Sequence, residues 1–367
     1  MSSKVPVAVL GATGAVGQRF ISLMENHPWF EVKVLTASER SEGKRYIDAV
    51  NWVVPGEIPE NAGDLEIRTS DTGESLGDDV KLVFSALPTE NAKEIEPALA
   101  AKGYLVCSNA SAYRMDPLVP LLIPEINPDH VHLIEAQRAQ RDWPGLLIAA
   151  PNCAVTGIVF PMRALHDAFG VTQMHAVTMQ AISGAGYPGV ASFDILDNVI
   201  PYIKGEEDKV ENEPRKLLGR LRDGAIEEAE ITISAQTNRV PVMDGHMGVL
   251  SIKLGRKARI EEVIEALDSW EAPAAVRDLP STPERSMILR REPDRPQTRR
   301  DRDAGNGMTI SVGRVQECPL LDVKLVSLVH NTLRGAAGGA LQNAEWLVAS
   351  GYLGEIVPET VATAAAR

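Results

Sequence analysis

Short apolar runs alternate with helical patterns along the first 150 residues of the chain. A run of four to eight apolar residues is typical of a strand that is buried on both faces. The runs that read this way are residues 5–10, 31–35, 65–67, 80–88, 105–109 and 146–150. Between them, residues 16–24 and 91–102 carry apolar side chains at helical spacing. This alternation predicts a parallel, doubly wound sheet.

After residue 170 the pattern changes, and apolar and polar residues alternate one by one. Such alternation is typical of strands with one solvated face. The alternating segments are residues 172–180, 231–242, 249–254 and 320–329. They predict a mixed or antiparallel sheet. Residues 192–204 and 214–224 are predicted to be helical or irregular, and the charged residues 294–306 are predicted to be exposed.

This change of pattern predicts two domains. The first is expected over residues 1–150, and a second, α+β domain over residues 151–334. A helix is predicted over residues 338–351, because Leu341, Ala344 and Leu347 share one helical face. The C-terminal helix, within residues 335–367, is expected to complete the first domain.

Composition restricts the classes of function. The 367-residue chain is 44% hydrophobic and 24% charged, as expected for a globular protein with room for two cores. Its formal net charge of −13 argues against nucleic-acid binding. Cys107, Cys153 and Cys318 are too few and too far apart to suggest a disulfide framework or a metal site. With neither a signal peptide nor a transmembrane run in view, we expect a cytoplasmic protein without a metal.

The first predicted strand runs into a glycine-rich turn, Gly11-Ala12-Thr13-Gly14-Ala15-Val16-Gly17. A strand, a tight turn and a helix start are the context of a dinucleotide fingerprint, in which a pyrophosphate sits on the helix N-terminus. The spacing is not the commonest one, and a glycine turn without a ligand is the alternative. The candidate cofactor-binding residues of this turn are Gly11, Thr13, Gly14, Ala15 and Val16.

The residues after the second predicted strand bear on the choice between NAD and NADP. An acid there usually holds the ribose hydroxyls of NAD. Here Ser38, Arg40 and Ser41 can hold a 2′-phosphate through hydroxyl and guanidinium contacts. Glu39 and Glu42 leave NAD open, and a solvated polar loop is the third reading. We favour NADP.

Cys153 lies between the apolar run 146–150 and a helical pattern over residues 155–166. This places its thiol at or near a helix N-terminus, where free N–H groups and the helix dipole favour a thiolate. The same N–H groups can stabilise an oxyanion on a substrate carbonyl. Most intracellular cysteines are small buried hydrophobes, so the pattern predicts a nucleophile only together with the rest of the chain.

Seven sequence blocks, spread over nearly the whole chain, form one pattern. They are residues 11–17, 37–44, 108–115, 151–153, 180–189, 238–246 and 330–338. Together they resemble the aspartate-β-semialdehyde dehydrogenase family, in its archaeal and fungal-like branch. The resemblance implies a fold like that of glyceraldehyde-3-phosphate dehydrogenase, with a Rossmann-type NADP-binding domain and a catalytic and dimerisation domain. It also implies a homodimer or homotetramer. The implied reaction is the reversible, NADPH-dependent reductive dephosphorylation of aspartyl phosphate to the semialdehyde, in lysine, methionine and threonine biosynthesis.

The resemblance further implies roles for individual residues. Cys153 would form a thioester, and His246 would be its acid/base partner. The implied substrate-binding residues are Asn109, Arg114 and Lys209 for the phosphate, Gln180 for orientation, Glu206 for the amino group and Arg239 for the α-carboxylate. The implied contacts near the nicotinamide are Ser183, Gly184, Gly186 and Asn331. Ala154 stands where the family often has a hydroxyl residue, which bears on fine specificity only.

Three other readings stay open at this point. Archaeal malonyl-CoA reductase shares the scaffold and the Cys–His pair, and N-acetyl-glutamyl-phosphate reductase shares the chemistry. A non-catalytic NADP-binding sensor could also keep the fold. The joint presence of Cys153, Gln180, Arg239 and His246 argues against a sensor, which needs none of the four for binding a nucleotide.

Overall fold

The protein is described by a computed structural model that covers residues 4–71 and 73–354. Its strands are β1 (Val5–Leu10), β2 (Phe30–Ala37), β3 (Ile67–Thr69), β4 (Leu82–Ser85), β5 (Leu105–Ser108), β6 (Leu146–Ala149), β7 (Val171–Gln180), β8 (Arg220–Arg222), β9 (Ala225–Glu227), β10 (Thr232–Arg239), β11 (His246–Leu254), β12 (Met287–Leu289), β13 (Ile310–Glu317) and β14 (Val323–Val329).

Its α-helices are α1 (Ala15–Met24), α2 (Tyr46–Ala49), α3 (Glu60–Gly63), α4 (Thr89–Ala101), α5 (Leu133–Arg141), α6 (Cys153–Phe169), α7 (Ser192–Ile195), α8 (Glu206–Leu217), α9 (Ile260–Asp268), α10 (Ala274–Arg277), α11 (Thr298–Asp301) and α12 (Gly338–Ala349). None of the helices in the described ranges is long and apolar enough to cross a membrane.

The N-terminal sheet is parallel throughout and has the order β3-β2-β1-β4-β5-β6. Its central strands are buried on both faces, which explains why they read as continuous apolar runs. The strand order reverses between β1 and β4, and this is where ligands bind in such sheets. Gly11 follows β1 at this point. The predicted doubly wound sheet is confirmed.

The second sheet has the order β10-β7-β11-β14-β13-β12. Strand β7 is parallel to β10 and antiparallel to β11, so the sheet is mixed, as predicted. Buried positions alternate with more exposed ones along β7, β10 and β11, because one face covers the core and the other meets solvent.

Helix α6 joins the two parts of the chain. It leaves the carboxyl end of β6, and its apolar residues Val155, Ile158 and Leu165 lie in one core with β7, β11 and β14. Cys153 is its first residue, so the candidate nucleophile lies where the chain leaves the N-terminal sheet and enters the second part of the fold.

Helix α12 returns to the N-terminal core. Leu341, Ala344 and Leu347 are fully buried in the same hydrophobic cluster as Val7 and Phe20. Residues 355–367, the remainder of the predicted C-terminal segment, lie outside the described residues.

Several predicted details are wrong. Strands β12 and β13 and helices α5 and α9 were not predicted, and β3 begins two residues later than predicted. The segment 214–224 ends a helix and then enters the β8–β9 hairpin. The segment 294–306 is not uniformly exposed, because the Asp301 side chain is fully buried and accepts hydrogen bonds from Arg295 and from the backbone N–H of Gln297.

Candidate active site

Cys153 occupies the first position of α6, as predicted. Asn152 caps this helix: its Oδ1 accepts the backbone N–H groups of Ala154 at 2.8 Å and Val155 at 3.2 Å. Opposite the cysteine lies Gly335, where an added methyl group would come within 2.8 Å of the Cys153 Cβ. The backbone of residue 335 therefore closes one side of the thiol pocket, and only glycine fits there.

The pKa of the Cys153 thiol is raised and not lowered, in contrast to what the helix position alone predicts. Burial and, to a smaller degree, the Glu206 carboxylate raise the pKa of the Cys153 thiol to about 12, although Arg114 and Lys209 oppose this rise. The Ala154 N–H at the helix end also lowers this pKa, but it is shared with the Asn152 carboxamide and does not outweigh burial. The thiol is thus neutral at pH 7 and must lose its proton when substrate is bound.

One end of the second sheet, where β7 and β10 finish and β11 begins, brings together His246, Gln180 and Arg239. Gln180 and Arg239 end the paired strands β7 and β10, and His246 begins β11, which runs in the opposite direction beside β7. The peptide of Ala181 links two of them: its N–H donates to His246 Nδ1 at 3.0 Å, and its carbonyl accepts from Arg239 Nη1 at 2.6 Å. Neighbouring strand ends therefore bring these three predicted residues together.

The His246 ring has a defined protonation state. Burial and the Arg239 charge lower the pKa of His246 to about 3, so the ring is neutral at pH 7. Because Nδ1 accepts a backbone N–H, the proton of the neutral ring lies on Nε2. That Nε2 is buried and has no partner among the described residues, and a methyl group at Gly184 would lie 2.9 Å from it. His246 thus offers a hydrogen-bond donor beside the Gly184 backbone.

Helix α8 brings Glu206 and Lys209 to the cysteine. Glu206 Oε2 accepts from Lys209 Nζ at 3.0 Å, and Glu206 Oε1 accepts from Asn152 Nδ2 at 2.7 Å. Burial raises the pKa of the Glu206 carboxyl, but the Lys209 charge and the hydrogen bonds from Lys209, Asn152 and Gln180 outweigh it, and the net shift is downward. Glu206 is therefore an ionised carboxylate, able to hold an ammonium group.

Asn109 and Arg114 lie in the segment after β5. Arg114 Nη2 donates to the Asn109 carbonyl at 2.9 Å. Asn109 Nδ2 and Arg114 Nε are both buried and unpartnered within the described residues, as is His246 Nε2. Buried donors without partners are costly, and here three of them belong to residues predicted to bind substrate or a reacting group. The donor set fits an anionic ligand.

The glycine turn has the shape of a dinucleotide cradle. Gly11 has a φ of +72°, and a Cβ there would lie 2.7 Å from the Ala86 carbonyl oxygen. A Cβ at Gly17 would lie 2.3 Å from the Gly11 oxygen. Gly14 begins α1 without a side-chain cap, and no acidic residue occurs in the first turn of the helix. The helix N-terminus, with Thr13, Ala15 and Val16 around it, fits a pyrophosphate.

The residues predicted to choose the cofactor lie directly after β2. Glu39–Ser41 form a short 3₁₀ turn, and Ser38 and Arg40 are exposed at its start. The Arg40 side chain has no hydrogen-bond or ion-pair partner within residues 4–71 and 73–354, so its guanidinium can meet a phosphate.

Among the four residues expected near the nicotinamide, Gly184 lies beside His246, and hydrogen bonds of Asn331 connect Ser183 to Gly245. Asn331 Nδ2 donates to Ser183 Oγ at 2.8 Å, and Asn331 Oδ1 accepts from the Gly245 N–H at 2.8 Å. Gly186 has a φ of +73°. Asn331 therefore ties the 183–186 turn to the residue that precedes His246.

Sequence reasoning missed five residues that shape the site. They are Asn152, Ala181, Glu213, Lys216 and Gly335. A signal for two of them was present, since Glu206, Lys209, Glu213 and Lys216 are spaced by three, four and three residues, which places them on one face of a helix.

Comparisons with known proteins agree with this geometry. Residues 6–134 match the family model "Semialdehyde dehydrogenase, NAD binding domain", and residues 162–334 match "Semialdehyde dehydrogenase, dimerisation domain". The chain is 49% identical to an aspartate-semialdehyde dehydrogenase of Archaeoglobus fulgidus, over 93% of this chain and 97% of that protein. The chain belongs to the aspartate-semialdehyde dehydrogenase family.

Fungal members of the family are also similar. The Aspergillus fumigatus enzyme is 45% identical over 95% of this chain and 99% of its own length. A crystal structure of the Candida albicans enzyme with NADP has a TM-score of 0.85 and 41% identity, covering 94% of this chain and 98% of that one. The resemblance to the archaeal and fungal-like branch is thus confirmed, and so is the predicted two-part fold.

Proposed function

We propose that the protein is an NADP-dependent aspartate-semialdehyde dehydrogenase. It catalyses the reversible reductive dephosphorylation of L-aspartyl 4-phosphate to L-aspartate 4-semialdehyde and phosphate, a step toward lysine, methionine and threonine. The observation that carries the proposal is the meeting of Gln180, Arg239 and His246 at neighbouring strand ends, with Arg239 within electrostatic reach of Cys153 at the start of α6, in a chain of this family. The test is phosphate-dependent NADP reduction with aspartate semialdehyde, and malonyl-CoA with NADPH is the control for the related reductase.

The thiol of Cys153 performs the covalent step. In the biosynthetic direction its sulfur attacks the acyl carbon, the C–O bond to phosphate breaks, and a thioester forms, while the thiol proton leaves with the phosphate. NADPH, when bound, supplies the hydride that reduces this thioester. The Nε2–H of His246 donates to the substrate oxygen on which charge develops. His246 is thus the acid/base partner toward that oxygen, and it does not take the thiol proton, because Nε2 already carries one.

The remaining residues hold the substrate. Arg239 binds the α-carboxylate and Glu206 the α-amino group, while Gln180 orients the acyl chain. Asn109, Arg114 and Lys209 bind the phosphate. The unpartnered donors of Asn109 and Arg114, the Lys209 charge and the ionised Glu206 match an amino-acid acyl phosphate.

We place NADP on the first sheet. Gly11, Thr13, Gly14, Ala15 and Val16 hold its pyrophosphate, Ser38, Arg40 and Ser41 its 2′-phosphate, and Ser183, Gly184, Gly186 and Asn331 its nicotinamide end. The close backbone packing that Gly11 and Gly17 permit supports the first group. The second is supported by Arg40, which is exposed and has no side-chain partner among the described residues.

Replacement of Arg40 tests the cofactor assignment. We expect Arg40→Ala to raise the KM for NADP by about tenfold or more, because a charge-assisted contact to the 2′-phosphate is lost. The KM for NAD should change less than twofold, since NAD lacks that phosphate. Lys33→Ala, which removes an exposed cation from β2, is the control. Equal losses for NADP and NAD would contradict a phosphate contact.

Replacement of Arg239 tests the substrate site. Lysine keeps the charge but loses the two-pronged geometry, and one donor is still needed by the Ala181 carbonyl. We expect Arg239→Lys to raise the KM for aspartate semialdehyde by tenfold or more and to leave the KM for NADP nearly unchanged. Steady-state kinetics with each substrate varied will show this, with Arg222→Lys on the exposed hairpin as control. An unchanged KM for aspartate semialdehyde would show that a residue other than Arg239 binds the α-carboxylate.

We also propose that the protein is a homodimer or homotetramer assembled through its second domain. The match of residues 162–334 to a dimerisation domain supports this assembly. Large apolar side chains are exposed along one segment of that domain: Tyr187, Phe193, Leu196, Val199 and Tyr202. The mass in solution by light scattering distinguishes the two states.

The domain boundaries and the cellular location complete the proposal. We assign residues 1–150 to the NADP-binding domain and residues 151–334 to the catalytic and dimerisation domain. The packing of α12 against the core around β1 supports the assignment of the C-terminal segment 335–367 to the first domain. The soluble cofactor and amino-acid substrate of the proposed reaction support a cytoplasmic location.

A further inference from the structure

Glu213 lies in the second turn of α8 beyond Glu206 and takes no part in the chemistry described above. Its side chain is buried, with the residue 1% exposed. Each carboxylate oxygen has one donor: Oε2 accepts the backbone N–H of Asn152 at 2.6 Å, and Oε1 accepts from Arg114 Nη1 at 3.2 Å. One carboxylate therefore touches both the cap of the nucleophile's helix and an arginine of the phosphate pair.

The same helix also fixes the backbone that carries Arg114. The buried Lys216 Nζ donates to the carbonyls of Arg114, Asp116 and Val119 at 2.8, 2.7 and 2.8 Å. Arg114 in turn donates to the Asn109 carbonyl. The segment from Asn109 to Val119 is thus anchored on α8 through both its backbone and its arginine.

Asn152 connects Glu213 to the helix that begins with the nucleophile Cys153. Its N–H is held by Glu213, its Oδ1 accepts the first free N–H groups of α6, and its Nδ2 donates to Glu206. A shift of Asn152 would move the start of α6, and with it Cys153, relative to Glu206.

We propose that Glu213 is a positioning residue that holds the phosphate-binding Arg114 and the helix cap Asn152 in one fixed geometry. The inference rests on the proposed function in taking Arg114 as a phosphate contact. Its physical basis is the count of acceptors: a carboxylate presents two oxygens to two donors, whereas a carboxamide presents one oxygen and one N–H group. In a buried site water does not replace the missing acceptor.

Glu213→Gln tests the proposal against a matched control on the same helix. Glu211 accepts a single backbone N–H, from Ala235 at 2.9 Å, which the oxygen of a glutamine can accept equally well. We expect Glu213→Gln to raise the KM for phosphate by about tenfold to a hundredfold, as the loss of a hydrogen bond to a charged group does. The KM for NADP should stay within twofold, and Glu211→Gln should match the wild type in both.

A second readout does not depend on turnover. Phosphate that binds the native state raises the melting temperature. We expect this phosphate-induced shift in the wild type and in Glu211→Gln, and its loss in Glu213→Gln. In a double-mutant cycle, Glu213→Gln added to Arg114→Gln should raise the phosphate KM little further, since the two residues act through one contact. A merely structural role would instead lower the melting temperature without such coupling.

The outcomes separate the two proposals. A wild type that shows the phosphate-induced shift but no semialdehyde activity overturns the proposed function and still lets the shift test Glu213. Glu213→Gln with the phosphate KM and shift of Glu211→Gln overturns the positioning role alone, and a wild type with neither activity nor shift overturns both. Should Glu213→Gln fail to fold, Glu213→Asp replaces it, because it keeps the charge and both oxygens on a side chain that is shorter by one methylene. Its phosphate KM and phosphate-induced shift are then compared with those of Glu211→Gln.

Discussion

Cys153→Ser is expected to reduce turnover by at least about a hundredfold while folding and NADP binding stay intact. The serine oxygen is nearly isosteric with sulfur, so the helix cap at Asn152 and the close contact with Gly335 are kept. A serine hydroxyl is a much weaker acid and nucleophile than a thiol, and the His246 ring cannot act as its base, because Nε2 already carries the proton. Acylation should therefore stall.

The measurement is single-turnover and steady-state NADP reduction, together with an NADP titration and a melting curve. Cys318→Ser is the matched control, because Cys318 follows β13 and its neighbours Ser251, Leu321 and Asp322 are not predicted site residues. Its turnover should remain near that of the wild type. Turnover of Cys153→Ser within tenfold of the wild type would rule out Cys153 as the nucleophile.

The local parts of the site were readable from the sequence. An apolar run and a helical pattern predicted Cys153 at a helix start, because both signals lie within about twenty residues. The glycine turn was readable for the same reason: Gly11, Gly14 and Gly17 satisfy backbone requirements of one strand–turn–helix unit. Such features depend on neighbours in sequence.

The parts that were missed depend on neighbours in space. Glu213 meets Arg114 across 99 positions of sequence and Asn152 across 61. The helical stripe that contains Glu213 and Lys216 was visible, but its partners were not. The pKa of Cys153 was misjudged for the same reason, because burial under Gly335 and the Glu206 charge come from distant segments.

Strand β13 was missed because its own pattern is irregular. Its first four residues are all buried, and the register with β14 shifts between Gly313 and Gln316, where Arg314 has a φ of +57°. A bulge of this kind breaks the period of two on which strand prediction depends. The charged segment 294–306 was misread because the carboxylate of Asp301 is buried by pairing with Arg295, a contact that composition does not reveal.

His246→Asn is expected to lower turnover by about a hundredfold to ten-thousandfold, the usual contribution of a general acid or base. The asparagine amide can still donate a hydrogen bond, but it cannot transfer a proton. Since Arg239 keeps its contact with the Ala181 carbonyl, the KM for aspartate semialdehyde should change less than threefold. His175→Asn, on an exposed position of β7 in the same sheet, is the matched control and should retain full turnover.

The pH profile of the wild type adds an independent check. Because burial and Arg239 lower the pKa of His246 to about 3, the ring of the free enzyme stays neutral from pH 5 to 8. The kcat/KM of the wild type should therefore show no inflection near pH 6.5 that His246→Asn removes. A loss confined to KM would make His246 a binding residue. Turnover of His246→Asn near that of His175→Asn would show that His246 is not the acid/base residue of the reaction.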